Sequence, residues 1–570
     1  MAGTLTEPRS AGTVPADMTE PADLILADAD IWCGDAARRW ARALAIRGDR
    51  IVAVGTDDDV REFRGPKTEV VTLAGKAVVP GLQDSHVHPA YGARNLLNVN
   101  LDDLHSKDDY LVRIKSVADA NPGLDWIVGG GWYGANFAGP DGPRKEDLDA
   151  IVPDRPVFLL NNDVHGAWVN SRALEAAGIT ANSPDPWDGY VVRDADGSPT
   201  GCLQEGAAYN VLRQVVAPPT LDQWKVYLRR AQQELHSLGI TGWQDAWVEP
   251  SLLDAYRSLD DEGGLTARVV TAMWWDRHGG MEQVDRFIEQ RDRATAGNVH
   301  ATTIKLMLDG CPESCTGSML DPYEGDFGRR HDRGIQFIDT EMLTEAVVAL
   351  DALGFQTHLH ALGDRAIRSG LDAVEAAREA NGWNDARHHM AHLQLPDRAD
   401  VPRLRQLGVI ANMQPFWSQP DPGIRRFTIP RVGEARAARL YPIGDISASG
   451  AVLGFGSDWP VSTPNPWLEL EVAVTRQIPG DPDSEPLDAS QRIDLARGIA
   501  AFSAGSAWIN HDDDAGTLEV GKRADMAVLD RNPFDRTLGA IGQIQVDMTL
   551  ASGRVVYDAA RDERGVYANR

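Results

Sequence analysis

The sequence predicts an α/β chain with three parts: a (β/α)8 barrel, a small β-sandwich domain built from both chain ends, and a subdomain inserted after the first barrel strand. Three observations carry that expectation. Eight strand-like runs alternate with helical stretches through the middle of the chain. Short β-like runs of similar character stand at both ends. The interval between the first and second barrel strands, roughly residues 90–219, is too long for a loop.

Residues 1–21 are polar and rich in Pro, Thr and Ala, with no apolar core of a signal or anchor, and are expected to form a loose tail. Residues 22–79 carry β-like runs (Leu24-Ile25-Leu26, Ala43 to Ile46, Arg50 to Gly55, Glu69 to Leu73) around the turn Arg47-Gly48-Asp49, and predict a small antiparallel sheet. Residues 512–570 repeat that character in Gly516 to Gly521, Ala524 to Leu529 and Gly553 to Tyr557, so the ends are expected to meet in one domain. The barrel is assigned to 80–511. Its strands end at His88, Asp245, Trp274, Leu308, His360, Leu393, Met413 and Asp458. Amphipathic stretches such as Leu221 to Leu238 and Thr340 to Leu353 separate several of them. The insert has strand-like pieces of its own, Asp125 to Val128 and Pro156 to Leu160.

At 570 residues the chain exceeds one ordinary core, and 43% hydrophobic with 25% charged residues suits a globular enzyme. A formal charge of −28 argues against nucleic acid, which needs clustered Lys and Arg. No apolar run approaches the roughly 20 residues that span a bilayer, so no membrane partner is expected. The four cysteines (Cys33, Cys202, Cys311, Cys315) form no CxxC pair and suit free thiols in a reducing, cytoplasmic setting. Soluble enzymes are commonly cyclic homo-oligomers, and a homodimer is the expected assembly.

Candidate chemistry gathers at the strand ends, where barrels of this kind place it. In the segment Gly81-Leu82-Gln83-Asp84-Ser85-His86-Val87-His88, strand alternation points His86 and His88 the same way, which is half a metal site. Lys305 follows on the fourth strand, His360 on the fifth, His392 on the sixth and Asp458 on the eighth. Each alone has an ordinary explanation: a core or rim histidine, a lysine reaching solvent, an aspartate capping a helix. Their joint placement on separate strands is what argues for a metal centre. His358 faces the same side as His360, so either could ligate, and His388 and His389 lie close to His392.

These residues, with Ile304-Lys305-Leu306-Met307-Leu308-Asp309-Gly310, His360-Ala361-Leu362-Gly363-Asp364-Arg365-Ala366, Gly456-Ser457-Asp458-Trp459-Pro460 and Gly516 to Asp525, resemble the amidohydrolase superfamily and its YtcJ-like branch, which includes N-substituted formamide deformylases, over about Ala22 to Tyr557. The resemblance implies two divalent metal ions, usually zinc. His86, His88 and Asp458 would hold one and His360 and His392 the other, with a carboxylated Lys305 bridging them. It favours His360 over His358 as ligand. It also implies that Asp458 is general base and then acid in the hydrolysis of a C–N bond. An ester, lactone or cyclic amide, or deamination, is the rival chemistry at such a site; a catalytically silent binding barrel is the rival outside enzymes.

On the substrate side, Asp163 to Leu174 looks like the segment that overlies the active site in that branch. His165 either donates to a substrate carbonyl or oxyanion, or caps the helix starting at Ser171. Aromatic residues fall near the expected mouth (Trp132-Tyr133, Trp274-Trp275, Phe416-Trp417, Trp459) and favour a small molecule with an apolar or aromatic group, most plausibly an N-substituted formamide or carboxamide. The loop Cys311-Pro312-Glu313-Ser314-Cys315 departs from the branch pattern and identifies no substrate.

Overall fold

The computed structural model describes residues 20–137, 142–325, 331–535, 537 and 539–562; most of the predicted tail, residues 1–19, lies outside them. At its centre is an eight-stranded all-parallel sheet: β1 (Leu82–Val87), β2 (Ile240–Val248), β3 (Arg268–Trp274), β4 (Val299–Met307), β5 (Gln356–Ala361), β6 (His389–His392), β7 (Ile410–Met413) and β8 (Leu453–Phe455), each hydrogen-bonded to the next in chain order. That order is the one a (β/α)8 barrel requires.

Closure falls between β8 and β1. The Ser85 hydroxyl donates to the Phe455 carbonyl (2.7 Å), the Asp458 N–H to His86 (2.7 Å) and the His88 N–H to Trp459 (2.8 Å). A side chain at Gly456 would put its Cβ 2.4 Å from the His86 nitrogen, so only glycine lets the two strands approach this closely.

The strands bury nearly every side chain, because helices cover them outside and other strands face them inside. The helix α1 (Leu221–Ser237) shows how the coat is fixed. Thr220 caps it reciprocally with Gln223, and Trp224, Leu228, Ala231 and Leu235 recur every three to four residues on its buried face. A later helix, α2 (Asp364–Asn381), stops at Gly382, whose φ of 78° ends the helical path.

Both chain ends contribute to one β domain. Met526–Leu529 pairs antiparallel with Ala77–Pro80 inside a six-stranded sheet that also takes Asp30–Trp32, Trp40–Ala41, Val546–Ala551 and Arg554–Asp558. A second sheet of four strands packs on it through Leu26, Ile31, Leu44, Val78, Met526 and Leu550. The pairing is mixed, not antiparallel throughout: Leu24–Ala27 runs parallel to Glu69–Thr72, and Asp30–Trp32 parallel to Ala77–Pro80. The run Gly516 to Gly521 forms turns instead of a strand, anchored by the Leu518 N–H to the Cys33 carbonyl at 2.8 Å.

Between β1 and β2, a six-stranded mixed sheet (spatial order Gly189–Arg193, Pro199–Glu205, Gly166–Val169, Val157–Asn161, Ile127–Trp132, Val99–Asn100) has apolar cores of its own.

Candidate metal centre and substrate cavity

Each residue of the candidate centre sits at or just past the carboxyl end of a barrel strand. His86 lies in β1, and His88 begins the following helix one residue beyond it. Lys305 is in β4, His358 and His360 in β5, His392 in β6, and Asp458 three residues after β8. His392 and Asp458 adopt φ of 78° and 55°, a region non-glycine residues seldom enter. Backbone strain of this sort concentrates at functional sites.

Asp458 Oδ1 stands 2.9 Å from His88 Nε2 and 3.1 Å from His86 Nε2, and its Oδ2 stands 4.0 Å from His392 Nδ1. Lys305 Nζ is 3.5 Å from His86 Nε2. His392 Nε2 and His360 Nδ1 are 3.0 Å apart. The structure therefore brings together all six predicted ligands.

The layer beneath sets the protons on these rings. Gln244 donates from Nε2 to Gln356 and Asn510, so its Oε1 is the acceptor for His358 Nδ1 (2.6 Å) and His389 Nε2 (2.9 Å). His358 then has a lone pair on Nε2 for the Nδ1–H of His86, 2.8 Å away. His86 Nε2 is left as a bare lone pair facing the Asp458 carboxylate. Burial holds His86, His358, His360, His389 and His392 well below the usual imidazole range, so they are neutral. A neutral imidazole and a carboxylate are the forms that ligate a metal.

These observations test the fit of a metal directly. His88 Nδ1, His360 Nε2, His392 Nδ1 and Asp458 Oδ1 are buried with no hydrogen-bond partner. The His86 Nε2 lone pair facing Asp458 Oδ1 is repulsive unless a cation lies between them, and His86, His392 and Asp458 offer ligand atoms that all lie within 4.8 Å of one another. The donor set, imidazole nitrogen with carboxylate oxygen, suits zinc and its neighbours. The fit is good.

The neighbouring histidines separate by partner. His358 lies a layer deeper than His360, against Gln244, and Lys305 Nζ approaches it at 3.4 Å. His388 belongs elsewhere: its Nε2 meets Asp351 at 2.8 Å and its Nδ1 meets Thr357. Burial also brings the Lys305 ammonium down to about 7, so a large share of its amine is uncharged at neutral pH.

Above the centre opens a cavity of about 1690 Å³, walled by insert and barrel loops together. Trp132, Tyr133, Phe416, Trp417, Phe427 and Trp459 line it. Trp274 and Trp275 do not: Trp274 stacks on Trp247 (5.1 Å between centroids) and Trp275 packs on Phe287. The two side chains point opposite ways, as strand alternation requires: Trp274, in register with Lys305, faces inward against Trp247, whose ring lies 6.2 Å from that of His88, and Trp275 faces the helical coat.

His165 lines the same cavity, its ring 5.5 Å from that of His360. It caps no helix; the helix at Ser171 is capped by Asn170, whose side-chain oxygen accepts the Ala173 N–H at 3.0 Å. Its Nδ1 lies 3.0 Å from Glu205 Oε1 instead. Glu205 is a residue the sequence does not single out, since the pairing of two insert strands brings it there. The Cys311–Cys315 loop is also part of the wall: Glu313 accepts from Gln394 (2.8 Å) and from the Thr428 hydroxyl. Neither Cys311 nor Cys315 is in a disulfide.

A closed parallel barrel with neutral histidines, a lysine and an aspartate at its carboxyl rim defines a hydrolase of the metal-dependent kind. The chain belongs to the amidohydrolase family, whose model matches residues 69–557, and is an amidohydrolase. It is 29% identical to Bacillus subtilis YtcJ over 529 residues, which cover 90% of this chain and 97% of that one. It is 27% identical to the N-substituted formamide deformylase of Arthrobacter pascens over 566 residues, 95% and 99% of the two chains. Among solved structures, an uncharacterized metal-dependent hydrolase of Pyrococcus horikoshii superposes with a TM-score of 0.73 at 26% identity, over 91% of this chain and 99% of that one. Among the described residues, no helix is long and apolar enough to cross a membrane.

Proposed function

We propose that this amidohydrolase cleaves the C–N bond of a small carboxamide bearing an apolar or aromatic substituent, with an N-substituted formamide as the leading candidate. One observation supports the chemistry above the rest: a buried carboxylate oxygen of Asp458 shared by two histidine nitrogens at 2.9 and 3.1 Å, beside an aromatic-walled cavity that the next residue, Trp459, lines. The reading of the substrate is supported by likeness to the Arthrobacter deformylase.

His86, His88 and Asp458 would hold one divalent ion, His360 and His392 a second, and Lys305 would join them as a carbamate. Zinc is the ion we assign. Such ions supply a lowered pKa for attacking water and polarise the carbonyl under attack. The carbamate would form when the neutral Lys305 amine adds to carbon dioxide and releases one proton, leaving one negative charge shared by two oxygens where an ammonium would repel cations.

The side chains then divide the work. Asp458 takes the proton of the attacking water and returns it to the departing amine nitrogen, without which the amine is a poor leaving group. His165 donates to the carbonyl oxygen as negative charge develops there. Trp417, Phe416 and Tyr133 hold the apolar substituent and exclude water from it. We place the enzyme in the cytoplasm, where its four cysteines, none in a disulfide, stay reduced, and as a homodimer.

The test is turnover by zinc-loaded enzyme on matched N-benzyl formamide, benzyl ester, lactone and amidine substrates, with formate and amine measured separately. Formate and amine released in equal amounts, and faster from the formamide, is the expected result. Preferential cleavage of the ester, or ammonia from the amidine, would replace the amide assignment. No turnover and no bound metal would return the chain to a binding role.

A further inference from the structure

One fully buried carboxylate beside the cavity has no lysine or arginine in contact among the described residues. Glu205 Oε1 meets His165 Nδ1 at 3.0 Å and accepts the Thr316 hydroxyl at 2.6 Å. The backbone is built around this contact. Gly166 and Gln204 pair across neighbouring antiparallel insert strands, so His165 and Glu205 fall opposite each other one step further on. There the Glu205 N–H donates to the His165 carbonyl at 2.7 Å, and Glu205 holds a φ of 51°, rare for a residue with a side chain.

Thr316 comes from elsewhere, the loop that follows β4. Room for it is made by Gly310, where a Cβ would lie 2.1 Å from both Glu205 Oε1 and Thr316 Oγ1. Three segments thus converge on one oxygen atom. With Nδ1 engaged, the His165 ring has only Nε2 left for the cavity that it lines.

We propose that Glu205 is a positioning residue: held by Thr316, it fixes the His165 ring so that Nε2 donates to the substrate carbonyl oxygen. The proposal rests on the hydrolase reading above, in which His165 meets the substrate. It assigns the insert a part in the reaction through a carboxylate–imidazole pair, and explains why glycine follows Asp309. Cys311 Sγ lies within 4.8 Å of ligand atoms of both His165 and Glu205, so the trio has the composition of a metal site. The direct contact between His165 and Glu205 already occupies the facing atoms, which favours the hydrogen-bonded pair.

The experiment compares zinc-loaded wild type with Glu205→Gln, His165→Gln, the double variant and Gly310→Ala on the same formamide. Glu205→Gln is expected to lower kcat by ~10- to 100-fold with KM within about twofold, and the double variant to be no worse than His165→Gln alone. Gly310→Ala, which leaves both side chains present and displaces their contact, is expected to lower kcat in the same way. A downfield imidazole N–H proton resonance is expected in wild type and absent from both Glu205→Gln and His165→Gln, at unchanged melting temperature. Unchanged kcat in Glu205→Gln, or losses that multiply in the double variant, would overturn the proposal while leaving the hydrolase reading intact. An equivalent of bound zinc lost specifically in Cys311→Ser would also overturn it, in favour of a metal site. Absence of amide turnover by wild type would remove the hydrolase reading, and this proposal with it.

Discussion

Asp458 touches His86 twice: its main-chain N–H donates to the His86 carbonyl at 2.7 Å, and its Oδ1 stands 3.1 Å from His86 Nε2. The contact that closes the barrel between its last strand and its first is therefore the contact that assembles the centre. Asp84 reinforces the seam, accepting the main-chain N–H groups of His86 and Ser457 at 3.0 Å each and the Ser457 hydroxyl at 2.5 Å. Because the backbone contact does not involve the Asp458 carboxylate, that group can be altered without opening the barrel.

Asp458→Asn is accordingly expected to fold with a melting temperature near that of wild type and to lose ~10²- to 10⁴-fold in kcat, the range of a positioned acid–base group. An amide cannot accept the water proton and is a weaker ligand. Circular dichroism melting with steady-state kinetics checks both halves. Near-normal turnover would exclude Asp458 as the proton carrier.

Asp309 acts on stability. Its Oδ1 accepts the Leu362 N–H (3.0 Å) and its Oδ2 those of Gly363 (2.9 Å) and Ser318 (2.8 Å), tying the loop after β4 to the start of α2. Asp309→Ala leaves three buried N–H groups without their acceptor and is expected to cost roughly 3 kcal/mol or more. Asp309→Asn, which keeps one carbonyl oxygen, should cost less. Urea denaturation measures the difference.

The eight barrel strands are legible in the sequence because a strand covered on both faces reads as a nearly continuous apolar run, and their ends as the places where histidine, lysine and aspartate interrupt it. The six candidate ligands stand at those ends, although alternation leaves His358 and His360 equivalent and only the family resemblance separates them. Glu205 and Gln244 are not legible, for one reason: Gln244 meets His358 across 114 residues, and Glu205 meets His165 through the register of two strands inside an insert. Register depends on the whole sheet, and no local pattern encodes it. The mixed pairing of the β domain escapes for the same cause, since an isolated short strand carries no mark of its partner's direction. Of the Trp274-Trp275 pair, alternation sends only Trp274 inward, where it meets Trp247 and not the cavity.

Acid stability should depend on His236. Burial lowers it from 6.5 to about 4, and its nitrogens lie 2.8 Å from the Ile240 carbonyl and 2.9 Å from Thr266. Between pH 6.5 and 4 the unfolded chain binds a proton that the folded chain refuses. The stability this group contributes is full above pH 6.5 and is lost as pH falls toward 4, at up to ~1.4 kcal/mol per pH unit. In chelator, so that metal binding does not enter, unfolding free energies at pH 6.5, 5.5 and 4.5 should fall more steeply for wild type than for His236→Gln. Parallel slopes would show that His236 is not the group responsible.

Trp417 joins substrate and centre. Its ring stacks on His392, centroids 5.1 Å apart and planes within 5°, while the same ring lines the cavity. Removing it takes away a contact of ~0.5–1.5 kcal/mol that orients His392, which in a metal competition assay corresponds to a roughly two- to tenfold weaker hold on the ion. It also removes one wall for the substituent. Trp417→Ala is therefore expected to release zinc more readily to a chelator and to raise KM more for N-benzyl than for N-ethyl formamide, whereas Trp417→Phe, still able to stack, should keep most of the metal affinity. A rise in KM with metal affinity unchanged would limit the ring to the cavity wall. Weaker metal binding with equal KM changes for both substrates would limit it to His392, because only direct contact with the substituent distinguishes an aromatic group from an ethyl one.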